Sequence, residues 1–122
     1  MRVPPLAQWP AVARGVVWGV RARRCVVHAL DAGNAETARV PRCGDIAEPG
    51  LKGVRLVLRI FRDRCLVDAL VRQHWHRGHG SSRTLMIGVR APAEGFAAHA
   101  WLEGDPPSSA AGFTELARRP AR

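Results

Sequence analysis

The chain has 122 residues, 47% of them hydrophobic, which suits one domain with a core but is small for an enzyme that builds a cleft without a partner. Its 19 basic and 10 acidic residues give a formal net charge of +9, but the arginines are scattered rather than clustered, which argues against a nucleic-acid partner. Three cysteines with no CxxC pair form neither a disulfide framework nor a complete zinc site, so a reducing cytoplasm is the expected setting.

An amphipathic helix is predicted over residues 8–30. Five apolar residues recur there at helical spacing, with arginines elsewhere around the axis: Trp9, Val12, Val16, Val20 and Val27. We expect these residues to be buried, and the alternative is a basic helix on a membrane surface or in a partner's groove. The apolar stretch is too short and too charged to predict a transmembrane segment.

A loop is predicted over residues 31–50, followed by a second helical pattern from Leu51 to Phe61. Residues 62–64 are predicted to bend, with Asp63 as the candidate cap of the next helix. That helix covers about residues 65–77 and buries one apolar stripe before ending at two glycines. The pattern divides the chain into a helical N-terminal region, 1–48, and a core, 49–122, within one compact domain.

Two strands are predicted after the third helix. Thr84–Arg90 alternates apolar side chains with others, residues 91–95 form a turn, and Phe96–Glu103 is the second strand. We expect the two strands to form an antiparallel hairpin against the third helix, and the tail to carry only a short apolar pair, Phe113 and Leu116. The predicted fold class is α+β, with helices preceding a small antiparallel sheet.

Cys65 opens the third helix, and His99 lies in the middle of the second strand. A thiol at a helix N-terminus meets exposed backbone N–H groups and the positive end of the helix dipole, which favour the nucleophilic thiolate. An imidazole on a neighbouring strand completes the arrangement of a cysteine peptidase. The competing interpretation is that Cys65 is an ordinary buried hydrophobe and His99 a core histidine. Cys25 and Cys43 have no such setting and are expected to be inert.

Strand alternation places Trp101 on the same face as His99 and Ala98 on the other. The small alanines around His99, Ala98 among them, leave room for a substrate backbone, and Trp101 is expected to wall the site. A third group should orient the imidazole. The acids within reach along the sequence are Glu103, Asp105 and Glu115, and their spacing does not decide among them.

His74, His76 and His79 are the competing chemical feature, because three histidines in six residues can gather zinc or nickel. His74 and His76 point to different sides of a helix, however, and no nearby cysteine completes a set of four ligands. A solvated helix end is the expected interpretation, and neither a metal nor a cofactor is predicted.

Four segments together resemble a known protein family: Cys65–Leu70 (CLVDAL), Leu85–Arg90 (LMIGVR), Ala98–Glu103 (AHAWLE) and Phe113–Leu116 (FTEL). They resemble the protease half of the split lasso-peptide B protein, which belongs to the transglutaminase-like cysteine proteases. The resemblance spans about residues 50–118. It implies a transglutaminase-like or papain-like core and a leader peptidase that cuts a ribosomally made precursor peptide.

The same resemblance implies Cys65 as nucleophile, His99 as base and then acid, and an aspartate as orienter. The family's acid usually follows a longer hairpin, so Asp105 matches if the hairpin is shortened, and a Cys-His dyad or Glu115 as the acid stays open. The implied partners are a small leader-binding protein and an ATP-dependent lasso cyclase. A non-catalytic basic scaffold and a nucleic-acid-binding module are the alternative functions.

Overall fold

The computed structural model of the protein describes residues 3–34, 36, 38–90 and 97–120. Three helices precede three strands: α1 Trp9–Asp31, α2 Gly50–Ile60, α3 Cys65–Gly78, β1 Leu85–Arg90, β2 Ala98–Leu102 and β3 Phe113–Arg119. The predicted α+β class is confirmed. The predicted turn at 91–95 and Phe96 lie outside the described residues. None of the described helices is long and apolar enough to cross a membrane.

The contacts divide the chain into two compact units, one up to Asp63 and the other from Arg64 onward. This division lies after the predicted boundary at residues 48 and 49, because α2 packs on α1 and so belongs to the first unit. The assignment of two functional regions stays a prediction.

Glycines bring α1 and α2 into close contact in the first unit. A Cβ atom on Gly15 would lie 1.9 Å from the carbonyl oxygen of Gly50, and one on Gly53 would lie 2.2 Å from the carbonyl oxygen of Val12. The predicted buried face of α1 is wrong in part. Trp9 is 50% exposed, and the four valines predicted with it are half-buried. The residues that α1 buries are Gly15, Trp18, Gly19, Ala22, Val26 and Ala29.

Asp63 does not cap α3 as predicted. Its carboxylate accepts hydrogen bonds from Arg23 Nε at 2.8 Å and Nη2 at 2.7 Å, both groups belonging to the first unit. The N-cap residue of α3 is Arg64, in an extended conformation, and no described side chain caps that helix end. The predicted bend is present, with Arg62 in the left-handed region at φ 51°.

The second unit contains α3 and a three-stranded antiparallel sheet in the order β2-β1-β3. The predicted β1–β2 hairpin is confirmed, and β3 is an additional strand on the other side of β1. α3 packs mainly against β2. In the pairing of β1 with β2, Leu85 lies opposite Leu102 and Met86 opposite Trp101, so the two pairs occupy opposite faces of the sheet. Leu85 and Leu102 are almost fully buried.

Candidate active site

Cys65 is the first residue of α3, as predicted. Its side chain therefore lies at the N-terminus of a helix of 14 residues. The thiol is free and half-buried. Its Sγ accepts a hydrogen bond from the backbone N–H of Ala100 on β2, with 3.4 Å between nitrogen and sulfur. The start of α3 therefore lies against the strand that carries His99.

The sulfur meets β2 at the outer edge of the sheet. The Ala97 carbonyl accepts a hydrogen bond from the amide of Arg90, the last residue of β1, and the Glu103 amide donates to the carbonyl of Thr84, just before β1. Odd-numbered residues of this segment therefore direct their backbone groups toward β1. Ala100 and Leu102 direct their amides to the opposite side, where these amides bond to the Cys65 sulfur and to a carboxylate. Cys65 thus supplies an acceptor for an edge strand that would otherwise leave this amide unpaired.

His99 lies opposite Gly88 in the strand pairing, and its ring packs among aromatic side chains. The ring centroid lies 5.8 Å from that of Trp101, with 21° between the planes, and 5.0 Å from that of Phe113. The guanidinium carbon of Arg90 lies 4.8 Å from the centroid of Phe113. Trp101 therefore stands beside His99 as predicted from strand alternation, and Phe113 and Arg90 extend the cluster.

Sequence reasoning missed the position of Phe113 beside His99, because it placed this residue in a tail with no strand. In the sequence, the aromatic character of Phe113 was the only local sign that it could belong to the site. Its contact with His99 depends on the pairing of β3 with β1, in which Phe113 lies opposite Arg90. Ala98 is exposed on β2 opposite Val89. Its predicted role in substrate binding stays a prediction.

The structure brings Cys65 to the strand of His99, but within the described residues no hydrogen bond joins the sulfur to the imidazole. The sulfur lies at the outer edge of β2, whereas the ring lies on the sheet face with Trp101 and Phe113. A proton transfer between them requires the ring to turn toward that edge. The catalytic pairing of Cys65 with His99 stays a prediction.

Asp105 has an elaborate set of contacts that sequence spacing did not reveal. Its two carboxylate oxygens accept hydrogen bonds from Arg72 at 2.7 and 3.2 Å, and one of them also accepts the Leu102 amide at 2.9 Å. Arg72 lies on α3 and also bonds to Asp68 on the same helix at 2.5 Å. Both side chains of the Arg72–Asp105 pair are largely buried. These contacts tie α3 to the end of β2, and the predicted contact with His99 stays a prediction.

Glu115, the alternative acid, lies on β3 opposite Gly88, in the same cross-strand row as His99. Its carboxylate accepts hydrogen bonds from Arg118, which lower the pKa of Glu115. Gly88 separates the two residues in this row. Glu103, the third acid considered, is exposed after β2.

The histidine run lies at the end of α3 and beyond it. The ring of His79 stacks on Trp75 with 4.1 Å between centroids, and its Nδ1 lies 2.8 Å from the Trp75 carbonyl oxygen. Burial, followed by the charge of Arg77, lowers the pKa of His74. No group of three or more His, Cys, Asp or Glu among the described residues is placed to hold a metal ion.

Comparison with known proteins identifies the family. No curated protein and no solved structure matches the chain significantly. A family model described as "Transglutaminase-like superfamily" matches residues 11–118, a span that includes the Cys65 helix end, β1, β2 and nearly all of β3. The chain therefore belongs to the transglutaminase-like superfamily, which includes cysteine peptidases and acyltransferases.

Proposed function

We propose that this chain is a cysteine endopeptidase that removes the leader from a ribosomally made lasso-peptide precursor. One observation carries the proposal: the Cys65 sulfur lies at the N-terminus of α3 and 3.4 Å from the Ala100 nitrogen, one residue beyond His99. A thiol in this position has backbone N–H groups on two sides, and an imidazole on the adjoining residue of the strand. This is the set of groups that thiol acyl transfer uses.

The proposed reaction begins with attack of the Cys65 thiolate on the scissile carbonyl carbon. Backbone N–H groups at the start of α3 stabilise the negative oxygen of the tetrahedral intermediate. The leaving amine takes a proton from the His99 imidazolium as the C–N bond breaks, which leaves a thioester on Cys65. His99 then removes a proton from water as the hydroxyl oxygen bonds to the thioester carbonyl carbon. The C–S bond breaks, which releases the leader as its carboxylic acid and restores the Cys65 thiolate and the His99 imidazolium.

His99 must move for this reaction, because its ring stacks on Trp101 and lies tilted against Phe113 at rest. Rotation about χ1 moves an imidazole between sheet face and strand edge without a backbone change. In this proposal Trp101 walls the substrate site, and Ala98, exposed on the same strand, leaves room for the substrate backbone.

The leader-peptidase assignment rests on four segments that resemble the lasso-peptide B proteases. They form the start of α3, the strands β1 and β2 and the start of β3, so all four lie in the second unit. The proposal includes a small leader-binding protein that presents the precursor and an ATP-dependent cyclase that uses the released core. It places the reaction in the cytoplasm.

The test is cleavage of a candidate lasso-peptide precursor, sought in the genomic neighbourhood, in the presence of a candidate leader-binding protein from the same neighbourhood. Mass spectrometry should detect a leader and a core fragment whose masses sum to that of the precursor plus one water. Cys65→Ala should abolish both fragments while the far-UV circular dichroism spectrum stays unchanged. Cys25→Ala is the matched control, because this free thiol lies on α1 in the first unit.

Each alternative function predicts a different experimental result. Cleavage that persists in Cys65→Ala would overturn the peptidase proposal. A basic scaffold would support maturation equally well after the thiol is alkylated, and a nucleic-acid-binding module would bind with an affinity that falls steeply with salt and does not depend on Cys65.

A further inference from the structure

We propose that the backbone amide of Ala100 prepares the nucleophile. Its N–H holds the Cys65 sulfur at the edge of β2 and stabilises the thiolate form of this side chain. This inference rests on the proposed function, because it describes how the same site prepares its thiol. Before substrate binds, a backbone N–H of β2 stabilises the sulfur, and His99 is free to move.

The position of this amide is set by the sheet. β2 is an edge strand, and its Ala100 and Leu102 amides point away from β1. The Leu102 amide bonds to Asp105, which is in turn bonded to Arg72 of α3, so β2 and α3 are joined close to the sulfur. Ala100 is only 5% exposed, and the pairing of β2 with β1 fixes the direction of its N–H. The donor is therefore held in place before any substrate arrives.

A hydrogen bond from an amide is stronger when its acceptor carries a charge. The contact therefore stabilises the thiolate more than the thiol, and it adds to the field at the N-terminus of α3. A backbone donor also keeps its proton throughout the reaction, so it stays available when the sulfur leaves as a thiolate from the thioester. The imidazole nitrogen that protonates the leaving amine loses its proton in that step, so it cannot donate throughout the cycle.

Cys43 supplies the opposite case in the same chain. It is 2% exposed, and burial together with the nearby Asp45 carboxylate raises the pKa of its thiol to about 11. Its environment thus holds the protonated thiol. When the alkylation rates of Cys43 and Cys65 are compared within one molecule, the reagent is the same for both, so the difference reports the surroundings of each sulfur.

The experiment removes the Ala100 N–H by Ala100→Pro. Proline is tolerated in an edge strand where the missing N–H would face outward. Ala98→Pro is the comparison variant, because residue 98 precedes Ala100 by two and directs its amide to the same side, whereas the sulfur bonds to Ala100. The rate of Cys65 alkylation by iodoacetamide at pH 7 is measured in each protein by site-resolved mass spectrometry, with Cys25 as the internal reference.

We expect Ala100→Pro to slow alkylation of Cys65 about tenfold more than Ala98→Pro does, relative to Cys25 in each protein. Equal rates in the two proline variants would overturn the inference. Circular dichroism checks the fold. If Ala100→Pro does not fold, an amide-to-ester replacement at residue 100, made by ligation, removes the same N–H without a ring, and the same tenfold loss is expected.

The alkylation assay separates this inference from the proposed function, because it needs no precursor. A slow Ala100→Pro variant in a protein that fails to cleave the precursor would support the amide's role and contradict the leader-peptidase assignment. Efficient cleavage with equal alkylation rates would do the reverse.

Discussion

The indole of Trp101 lies directly over Gly88 of the neighbouring strand. A Cβ atom on Gly88 would lie 2.8 Å from Cη2 of this ring and 2.9 Å from the carbonyl oxygen of Thr114 on β3. Only glycine leaves room for both neighbours at this point in the middle strand. Because His99 stacks on the same indole, the missing side chain on β1 determines where the aromatic cluster can lie.

We therefore expect Gly88→Ala to lower the free energy of unfolding by about 1 to 3 kcal/mol, since the new methyl group overpacks this face of the sheet. Guanidinium denaturation measures the change. Trp101→Phe provides the control, because a smaller ring relieves part of the clash: Gly88→Ala should cost less in that background. An equal cost in both backgrounds would show that the indole is not the obstacle.

The ion pair between Arg72 and Asp105 predicts a structural role for an acid that was expected to orient His99. Asp105→Ala removes the acceptor of both Arg72 and the Leu102 amide, and we expect it to lower the free energy of unfolding by about 3 kcal/mol. Thermal or denaturant unfolding measures the loss. Arg72→Met should be destabilising as well, and a double-mutant cycle should give a coupling energy of about 1 to 3 kcal/mol.

The cleavage assay decides between this structural role and the catalytic one. Asp105→Asn keeps an oxygen acceptor for the Leu102 amide while it removes the charge. If this variant cleaves far more slowly than the natural protein at unchanged stability, Asp105 acts as the orienter. If cleavage falls only in step with the folded fraction, the residue serves to join α3 to β2.

Local patterns were sufficient to predict the elements that carry the candidate site. The 3.6-residue spacing of apolar residues predicts α3 from about 65 to 77, and the structure has Cys65–Gly78. Alternation of apolar side chains over residues 84–90 predicts β1 in the same way, although the structure buries neighbouring residues on both faces of this strand. Three of the four segments that resemble a protease family lie in α3, β1 and β2, and the fourth begins β3; the superfamily match confirms the coarser part of the resemblance.

The remaining features depend on contacts that leave no local pattern. β3 was missed because its side chains are nearly all exposed, so apolar and polar residues do not alternate, and backbone pairing with β1 alone defines the strand. The buried face of α1 was predicted wrongly in part, because the prediction followed the spacing of the valines, whereas Gly15 and Gly19 permit the closer approach of α2. The Arg72–Asp105 pair joins residues far apart in the sequence.

The contact between α1 and α2 predicts a large cost for a single methyl group. Gly15→Ala would place Cβ 1.9 Å from a backbone oxygen of α2, so the two helices must separate. We expect the free energy of unfolding, measured in urea, to fall by about 1 to 3 kcal/mol. Val17→Ala, at a position 54% exposed on the same helix, is the control and should change stability by about 0.5 kcal/mol or less. A stabilising Gly15→Ala would mean that helix propensity outweighs this contact.

The buried thiol of Cys43 predicts a loss of stability at alkaline pH. Its pKa is raised to about 11 in the folded chain and returns toward 9.0 on unfolding. Between these values the unfolded chain releases a proton that the folded chain retains. The resulting contribution to stability is complete below about pH 9 and is lost as the pH rises toward 11.

This window contains few other titrating groups, because the chain has no tyrosine and its only lysine is Lys52. We expect the free energy of unfolding to fall by about 2 kcal/mol more between pH 8 and pH 10.5 in the natural protein than in Cys43→Val, whose buried side chain cannot ionise. The two proteins differ only at residue 43, so the difference between the two urea series isolates Cys43. Parallel declines in the two proteins would show that this thiol is not kept protonated by its surroundings, and its use as the unreactive comparison for Cys65 would then fail.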